Sequence, residues 1–479
     1  MTTQDLGARL GLVLAALASE QQRPAELPAL REAVAVTIAE HGDSAVWLAI
    51  AVLDGAYPDP FAVVEGRRLF RRVPPLDALR ELEKRRPRGW RFGPDVEIVA
   101  DRVIVDVHHT ARTGLATGIQ RVVRNTIRHW SEEHEIELVG WESRMRGLRR
   151  LSEAERRNAL FGTDPHAARP KRPAIAIPWR SRYLLPELAI EPERVPRIAA
   201  LAEFSGNATG VIGYDCVPLT TAETVAEGMG PAFSRNLTAV SRVERVAAIS
   251  DAAATEYAGW KRMLAGAGVS GPDVRAIPLA TEASFPEGDD DAGLDRLVTD
   301  GLPLVLCVGS HEPRKNHLTV LHGAERLWSA GHRFCLAFIG GNSWNSREFE
   351  GEVERLRAEG RPVRAISDVD DDVLRAGYRH ALFTVFPSIN EGFGLPIAES
   401  LALGTPVVTS DFGSMREIAD GAGGLLIDPR DDDAFAAGME RLLTDADLLD
   451  RLRAEAAARR PRTWGEYAAD AWEYLVESR

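Results

Sequence analysis

Apolar positions change their period along this chain. Up to about residue 92 they recur at helical spacing, as in LREAVAVTIAEHGDSAVWLAIAVLDG; PDP breaks the pattern, and VVEGRRLF and LDALRELEKRRP resume it. From residue 93 short apolar runs take over: RVIVDVHHT, EIELVGW, AIAIPW, TGVIGYDCVPL, RVAAIS and VRAIPL, with amphipathic stretches such as IQRVVRNTIRHW between them. Strands that alternate with helices in this way predict a parallel sheet covered on both faces. ESRMRGLRRLSEAERRNALFGTDPHAARPKRP interrupts the series and predicts a helix and loop on the surface. After the acidic FPEGDDDAGLDRLVTDG a second series begins: LPLVLCVGS, FCLAFIGG, VRAIS, LFTVFPS, TPVVTSD and GGLLIDP. The pattern predicts an α/β protein with a helical extension (1–92), two Rossmann-like domains (93–284 and 285–460) and a tail (461–479). Open parallel sheets bind ligands beyond the carboxyl ends of their strands, so two facing sheets predict a cleft lined by the chemistry.

Composition narrows this picture. A length of 479 residues exceeds one ordinary core, and 45% hydrophobic with 27% charged residues is globular. A formal net charge of -13 argues against a general nucleic-acid binder but leaves room for a local basic site for one phosphorylated ligand. Cys216, Cys307 and Cys335 fall in or beside predicted strands and read as small core residues, which suits a reducing cytosol. The opening MTTQDLGARLGLVLAALASE carries Asp5 and Arg9 before its apolar run and fits an amphipathic helix better than a secretory segment. No window is apolar for long enough to cross a bilayer. RRLFRR and EKRRPRGWR are locally basic, as a solvated helix face or as a contact with an anionic membrane.

Two stretches carry chemistry. GSHEPRKN, Gly309 to Asn316, leaves a buried strand and opens a helix, so Arg314 and Lys315 stand where a phosphate would sit, with Asn316 as the helix cap. FPSINEGFGLPIAES repeats the strand–loop–helix plan, with Pro396 near the first helical position. Gly392 and Gly394 allow close backbone approach, and the N–H groups from Phe393 and Leu395 onward favour an anion. Glu391 can reach sugar hydroxyls, and Glu399 can accept hydrogen bonds from a ribose.

VGSHEPRKN, FPSINEGFGLPIAESLALGTPVVTSDFGSMREI and GGLLIDPRD together resemble the retaining glycosyltransferases of family 4, which have the GT-B fold. The resemblance is dense from Leu304 to Asp431, looser from Val103 to Leu279, and does not cover the helical extension. It implies a nucleotide-sugar held by the carboxyl-terminal domain, an acceptor held mostly by the amino-terminal one, and no metal or other cofactor. The family's diphosphate pair falls on Arg314 and Lys315, beside Gly309, and its two glutamates fall on Glu391 and Glu399, with Gly392, Phe393, Gly394 and Leu395 as the backbone cradle. TGIQRVVRN resembles the family's glycine loop; Gly118 would face the donor phosphates, with Thr117 and Gln120 on the acceptor side. GYDCVPL places Tyr214 and Asp215 at a strand end, and RVAAISDAAATEY places Ser250 near the cleft. His109, at the end of the first strand after His108, is a further acceptor-side candidate, with a structural role for both histidines as the alternative. TWGEYAADAWEYLVES, in the 461–479 tail, looks like the closing helix that crosses back to the first domain.

Among family members the likeness is to bacterial O-antigen and capsular polysaccharide enzymes, many of them mannosyl- or rhamnosyltransferases, so GDP-mannose is the first donor to consider. The implied acceptor is a saccharide or lipid-linked saccharide. The implied location is cytoplasmic, with peripheral attachment to the inner face of the plasma membrane as an option. The implied reaction is front-face transfer of a hexosyl unit, with Asp215 orienting the acceptor or serving only as a turn residue. Two other readings stay open: a sugar-nucleotide epimerase on the same scaffold, for which no acid/base pair can be placed, and a non-catalytic subunit that binds a nucleotide-sugar. Replacing Arg314 and Lys315 by alanine is expected to cut turnover and leave thermal stability nearly unchanged.

Overall fold

The computed structural model describes residues 3–18, 24–84, 94–114, 117–163, 173–283, 285, 291, 293–299 and 301–478. Among them two sheets carry the fold. The amino-terminal sheet contains β1 (Val96–Ala100), β2 (Val103–Asp106), β3 (Ile136–Trp141), β4 (Leu148–Arg150), β5 (Ile175–Trp179), β6 (Arg182–Leu185), β7 (Ala208–Gly213), β8 (Arg245–Ala248) and β9 (Asp273–Ala276). Its order is β1-β5-β4-β3-β2-β6-β7-β8-β9. The carboxyl-terminal sheet contains β10 (Leu304–Val308), β11 (Cys335–Ile339), β12 (Val363–Ile366), β13 (Ala381–Phe386), β14 (Val407–Ser410) and β15 (Gly424–Ile427), in the order β12-β11-β10-β13-β14-β15. Every pairing in the second sheet is parallel.

The first sheet departs from the expected all-parallel arrangement. β4 runs antiparallel to both β3 and β5, inside the stretch expected to be surface helix and loop. Its cause is a buried ion pair: Arg149 of β4 holds Glu155 at 2.6 Å, and Glu155 also closes a capping box with Ser152 at the start of the Glu153–Phe161 helix. Residues 164–172 of that stretch lie outside the described residues.

The extension forms helices Thr3–Leu17, Leu27–His41, Asp43–Asp54, Pro60–Arg72 and Pro75–Lys84. Asp59 starts the fourth by accepting from the Ala62 N–H, with Pro60 pre-set for the first turn. These helices share one apolar core with the first sheet. Tyr57 meets Trp47 and Trp141 edge-on with centroids at 5.4 and 5.6 Å, and Trp179 of β5 donates to the Ala16 carbonyl at 3.0 Å. Of the basic EKRRPRGWR stretch, residues 85–93 lie outside the described residues. Among the described residues no helix is long and apolar enough to cross a membrane. The three thiols are buried and unpaired with one another.

The tail returns to the first lobe. The Trp464–Trp472 helix packs on the Gly118–Glu133 helix, where Trp130 Nε1 donates to the Ala468 carbonyl at 2.8 Å and His134 stacks on Trp472. Arg245 and Arg182 then donate to the carbonyls of Tyr474 and Leu475. The two segments that pass between the lobes touch: the N–H groups of Thr281 and Glu282 both donate to the Arg462 carbonyl, at 2.8 and 3.1 Å. Of the first segment, residues 284, 286–290 and 292 lie outside the described residues.

Candidate active site

The loop after β10 is set by its backbone. Gly309 has φ +152, Pro313–Lys315 form a short 3-10 turn, and Asn316 is left-handed at φ 54. Asn316 does not cap the following helix as expected. Its amide donates to the Pro429 carbonyl at 3.1 Å and its oxygen accepts from the Thr319 hydroxyl at 3.0 Å. The left-handed backbone turns its side chain away from the helix's free N–H groups. The Ile389 N–H donates to the Arg314 carbonyl at 2.9 Å, tying this loop to the one after β13.

Both cations then close on one carboxylate. Arg314 lies 2.5 Å from Glu391 Oε2 and Lys315 Nζ lies 2.6 Å from Glu391 Oε1. Arg314 also donates to the Asn390 carbonyl at 3.1 Å and to buried Glu312 at 2.6 Å. Lys315 Nζ stands 4.9 Å from the centre of the Phe386 ring. Burial alone would raise the Glu391 carboxyl, but Arg314 and then Lys315 hold it down to about 2. The pair therefore grips a two-oxygen anion, here the protein's own, and a sugar contact by Glu391 requires another anion to take its place.

Beside this cluster begins the Leu395–Ala402 helix, behind Gly394 at φ +118, a backbone setting open to glycine. Among the described residues nothing accepts a hydrogen bond from the N–H of Phe393, Gly394 or Leu395. The Phe393 ring itself is buried in the core. A methyl group at Gly118 would lie 4.0 Å from Leu395 Cδ1, so the starts of two helices, one from each lobe, face each other across the cleft. Thr117 donates to the Gln120 side chain, so both of these acceptor-side candidates are engaged locally. Glu399 is buried and fully partnered: Arg121 of the opposite lobe takes one oxygen and the Tyr378 hydroxyl donates to the other at 2.9 Å.

From the other lobe, Asp215 presses on Gly392. A Cβ there would lie 2.8 Å from Asp215 Oδ2 and 2.8 Å from the Tyr214 carbonyl. Ser250 reaches across as well, accepting from the Ala253 N–H and donating to the Gly392 carbonyl at 2.6 Å. Tyr214 is not on the acceptor side as expected: it is buried, and its hydroxyl donates to the Pro186 carbonyl at 2.6 Å. An apolar ring at the end of β7 is worth more inside the sheet than in the wet cleft. His109 pairs with Glu191 at 2.6 Å; burial pushes its imidazole down, but the bond to Glu191 and the charge of Glu187 leave it raised above the ordinary value. His108 is structural. It accepts from the Trp141 N–H at 3.0 Å and is driven down to about 2, first by burial and then by Arg194.

The family model of glycosyl transferases group 1 matches residues 295–459. This lobe is a glycosyl transferases group 1 domain. Beyond it, the chain is 25% identical over 341 residues to the serotype-specific mannosyltransferase WbdA of Escherichia coli, across 66% of this chain and 40% of WbdA. It is 38% identical over 141 residues to the O-antigen chain mannosyltransferase B of Escherichia coli, across 29% of this chain and 36% of that protein. The chain thus spans well under half the length of these relatives. Sucrose-phosphate synthase from Thermosynechococcus elongatus shares the fold at a TM-score of 0.54 and 18% identity, over 79% of this chain and 98% of that one. The architecture is GT-B.

Between the glycosyl transferases group 1 domain and its partner lobe lie contacts that the sequence did not reveal. Glu256 accepts from the Asn390 amide at 3.0 Å and from the Cys216 N–H at 2.6 Å. Glu417 accepts from the N–H groups of Asp251 and Ala252, closing the start of the Asp251–Gly266 helix. Arg121 and Tyr378 belong to the same class. Their only sequence signal was the placement of Arg121 in the first turn after Gly118.

Asp215 gives this interface a pH dependence. Burial pushes its carboxyl up to about 6, against the pull of Arg314 and with support from Glu256 and Glu391. With the folded value above the unfolded one, its contribution to stability falls as pH rises from about 4 through 6. Asp215→Asn should therefore raise the melting temperature at pH 7.5 and lose that advantage near pH 4, as read by thermal denaturation across the range.

Proposed function

We propose that the chain is a retaining, metal-independent glycosyltransferase of the family 4 type. It moves a hexosyl unit from a nucleotide-sugar, GDP-mannose first, to a hydroxyl of a saccharide or lipid-linked saccharide in cell-surface polysaccharide biosynthesis. One observation carries this reading: Arg314 and Lys315 converge on a two-oxygen anion beside a helix start whose N–H groups face the cleft. A donor diphosphate offers the same cations more charge than one carboxylate does. The names of the matched mannosyltransferases support the substrate class.

In this mechanism the diphosphate takes Arg314, Lys315 and the helix start, and Glu391 turns to the sugar ring. As the glycosidic bond lengthens, negative charge grows on the diphosphate, where those groups stabilise it, and Glu391 favours the positive ring. The acceptor hydroxyl attacks from the same face, giving its proton to a phosphate oxygen, while Asp215 orients it from the opposite lobe. A lipid-linked acceptor would bring the protein to the inner face of the plasma membrane.

The test is a panel of nucleotide-sugars scored by thermal stabilisation, then by transfer, with product anomers read by NMR. Stabilisation by a donor and retained configuration, unaffected by EDTA, are expected; absence of any nucleotide binding would refute the reading. Glu391→Gln should keep nucleotide binding and lose transfer by about 10²-fold or more. An unchanged rate would remove its sugar contact.

A further inference from the structure

We propose that Arg121 is a specificity-determining residue of the donor site: it occupies Glu399 in the donor-free protein and competes there with the ribose hydroxyls. This rests on the reading above, and on Glu399 as the ribose acceptor within it.

The geometry is specific. Glu399 is 3% exposed, one turn inside the Leu395–Ala402 helix, and a carboxylate so placed needs a partner in the free state. Tyr378 supplies one hydrogen bond from its own lobe, and the other oxygen is taken by a guanidinium from the opposite lobe, 278 positions away in sequence. Arg121 is far less enclosed, with 32% of its side chain exposed, so it can withdraw toward the cleft while Glu399 cannot. A vicinal diol can replace it, because two hydroxyls donate to one carboxylate in the space the guanidinium leaves. The arrangement repeats that of Glu391, whose two oxygens are held by cations that would serve the diphosphate. Both glutamates are thus paired within the protein, and each pairing must open for a nucleotide to engage. Only the Arg121 pairing spans the lobes, so only there does ribose binding also release a bond between them. Affinity is reduced by the fraction of molecules in which Glu399 is closed off, and removing the competitor removes that reduction.

The experiment compares GDP and UDP with their 2′,3′-dideoxy counterparts by calorimetry, on the full-length wild type, Arg121→Met and Arg121→Lys. The readout is the ratio of the dideoxy Kd to the ribose Kd, which cancels any general effect of losing a positive charge near phosphate. The ratio should rise about tenfold in Arg121→Met and less in Arg121→Lys. An unchanged ratio overturns the proposal, including the case in which both nucleotides weaken equally because Arg121 holds phosphate or merely braces the lobes. Wild-type protein that binds none of the four nucleotides would instead refute the functional reading. Arg121→Lys keeps the charge and much of the side chain, so the comparison survives if the methionine variant folds poorly.

Discussion

Arg314→Ala is expected to abolish sugar transfer and also to lower the stability of the protein, by about 3–5 kcal/mol. The rate effect comes from removing a cation at the point where charge develops on the leaving diphosphate, a contribution of about 10²–10³-fold in comparable sites. The stability effect comes from what the side chain leaves behind. Arg314 is only 17% exposed and satisfies Glu312, at 3%, and Glu391, at 10%. Lys315 still meets one oxygen of Glu391, but Glu312 loses its cation outright. From sequence the substitution was expected to spare stability, because two adjacent cations on a loop read as surface charges; their burial against carboxylates reverses that. Urea denaturation and a transfer assay on the same preparations check both effects. Adding Glu391→Gln to the variant should restore part of the stability and none of the transfer, because one of the two stranded charges is then gone. A single variant with wild-type stability would show that the cluster is not held as described.

Gly392→Ala should reduce kcat by about 10²-fold or more while changing the melting temperature little. The new methyl group meets Asp215 Oδ2 and the Tyr214 carbonyl, each at 2.8 Å, and the second is backbone that cannot swing aside. Its own carbonyl is meanwhile held by Ser250 at 2.6 Å, so the loop has no free direction in which to retreat. The strain is relieved by parting the lobes, which costs little folding energy but moves Asp215 and the Gly118 helix start away from the donor. Steady-state kinetics, with small-angle scattering to detect a larger radius of gyration, decide it. A variant with wild-type kcat would mean that this close approach is not needed for chemistry.

The legible parts of the site are local ones. Arg314 and Lys315, or Gly392 and Glu391, lie within a few residues of a strand end, and the strand–loop–helix period places them at a known edge of the sheet. Partners could not be assigned the same way. Nothing in TGIQRVVRN distinguishes Arg121, which meets Glu399, from Arg124, which reaches the Thr113 carbonyl. Tyr214 failed for a related reason: its place at a strand end was read correctly, but which way its ring turned depended on the room left inside β7 and its neighbours. β4 was missed because a three-residue antiparallel strand around a buried Arg149 carries no apolar period to detect.

Alone, the order of residues determined two wound sheets, their helices, the acidic surface and the two loops rich in phosphate-binding chemistry, because each follows from backbone periodicity and residue type over short spans. Only the folded molecule decided that Glu391 is shared by two cations, that Glu399 is closed by the opposite lobe, and that Asp215 sits against a bare glycine. Those contacts arise where two rigid lobes meet, and their mutual orientation is set by surfaces, tail and hinge acting together rather than by any one stretch of chain.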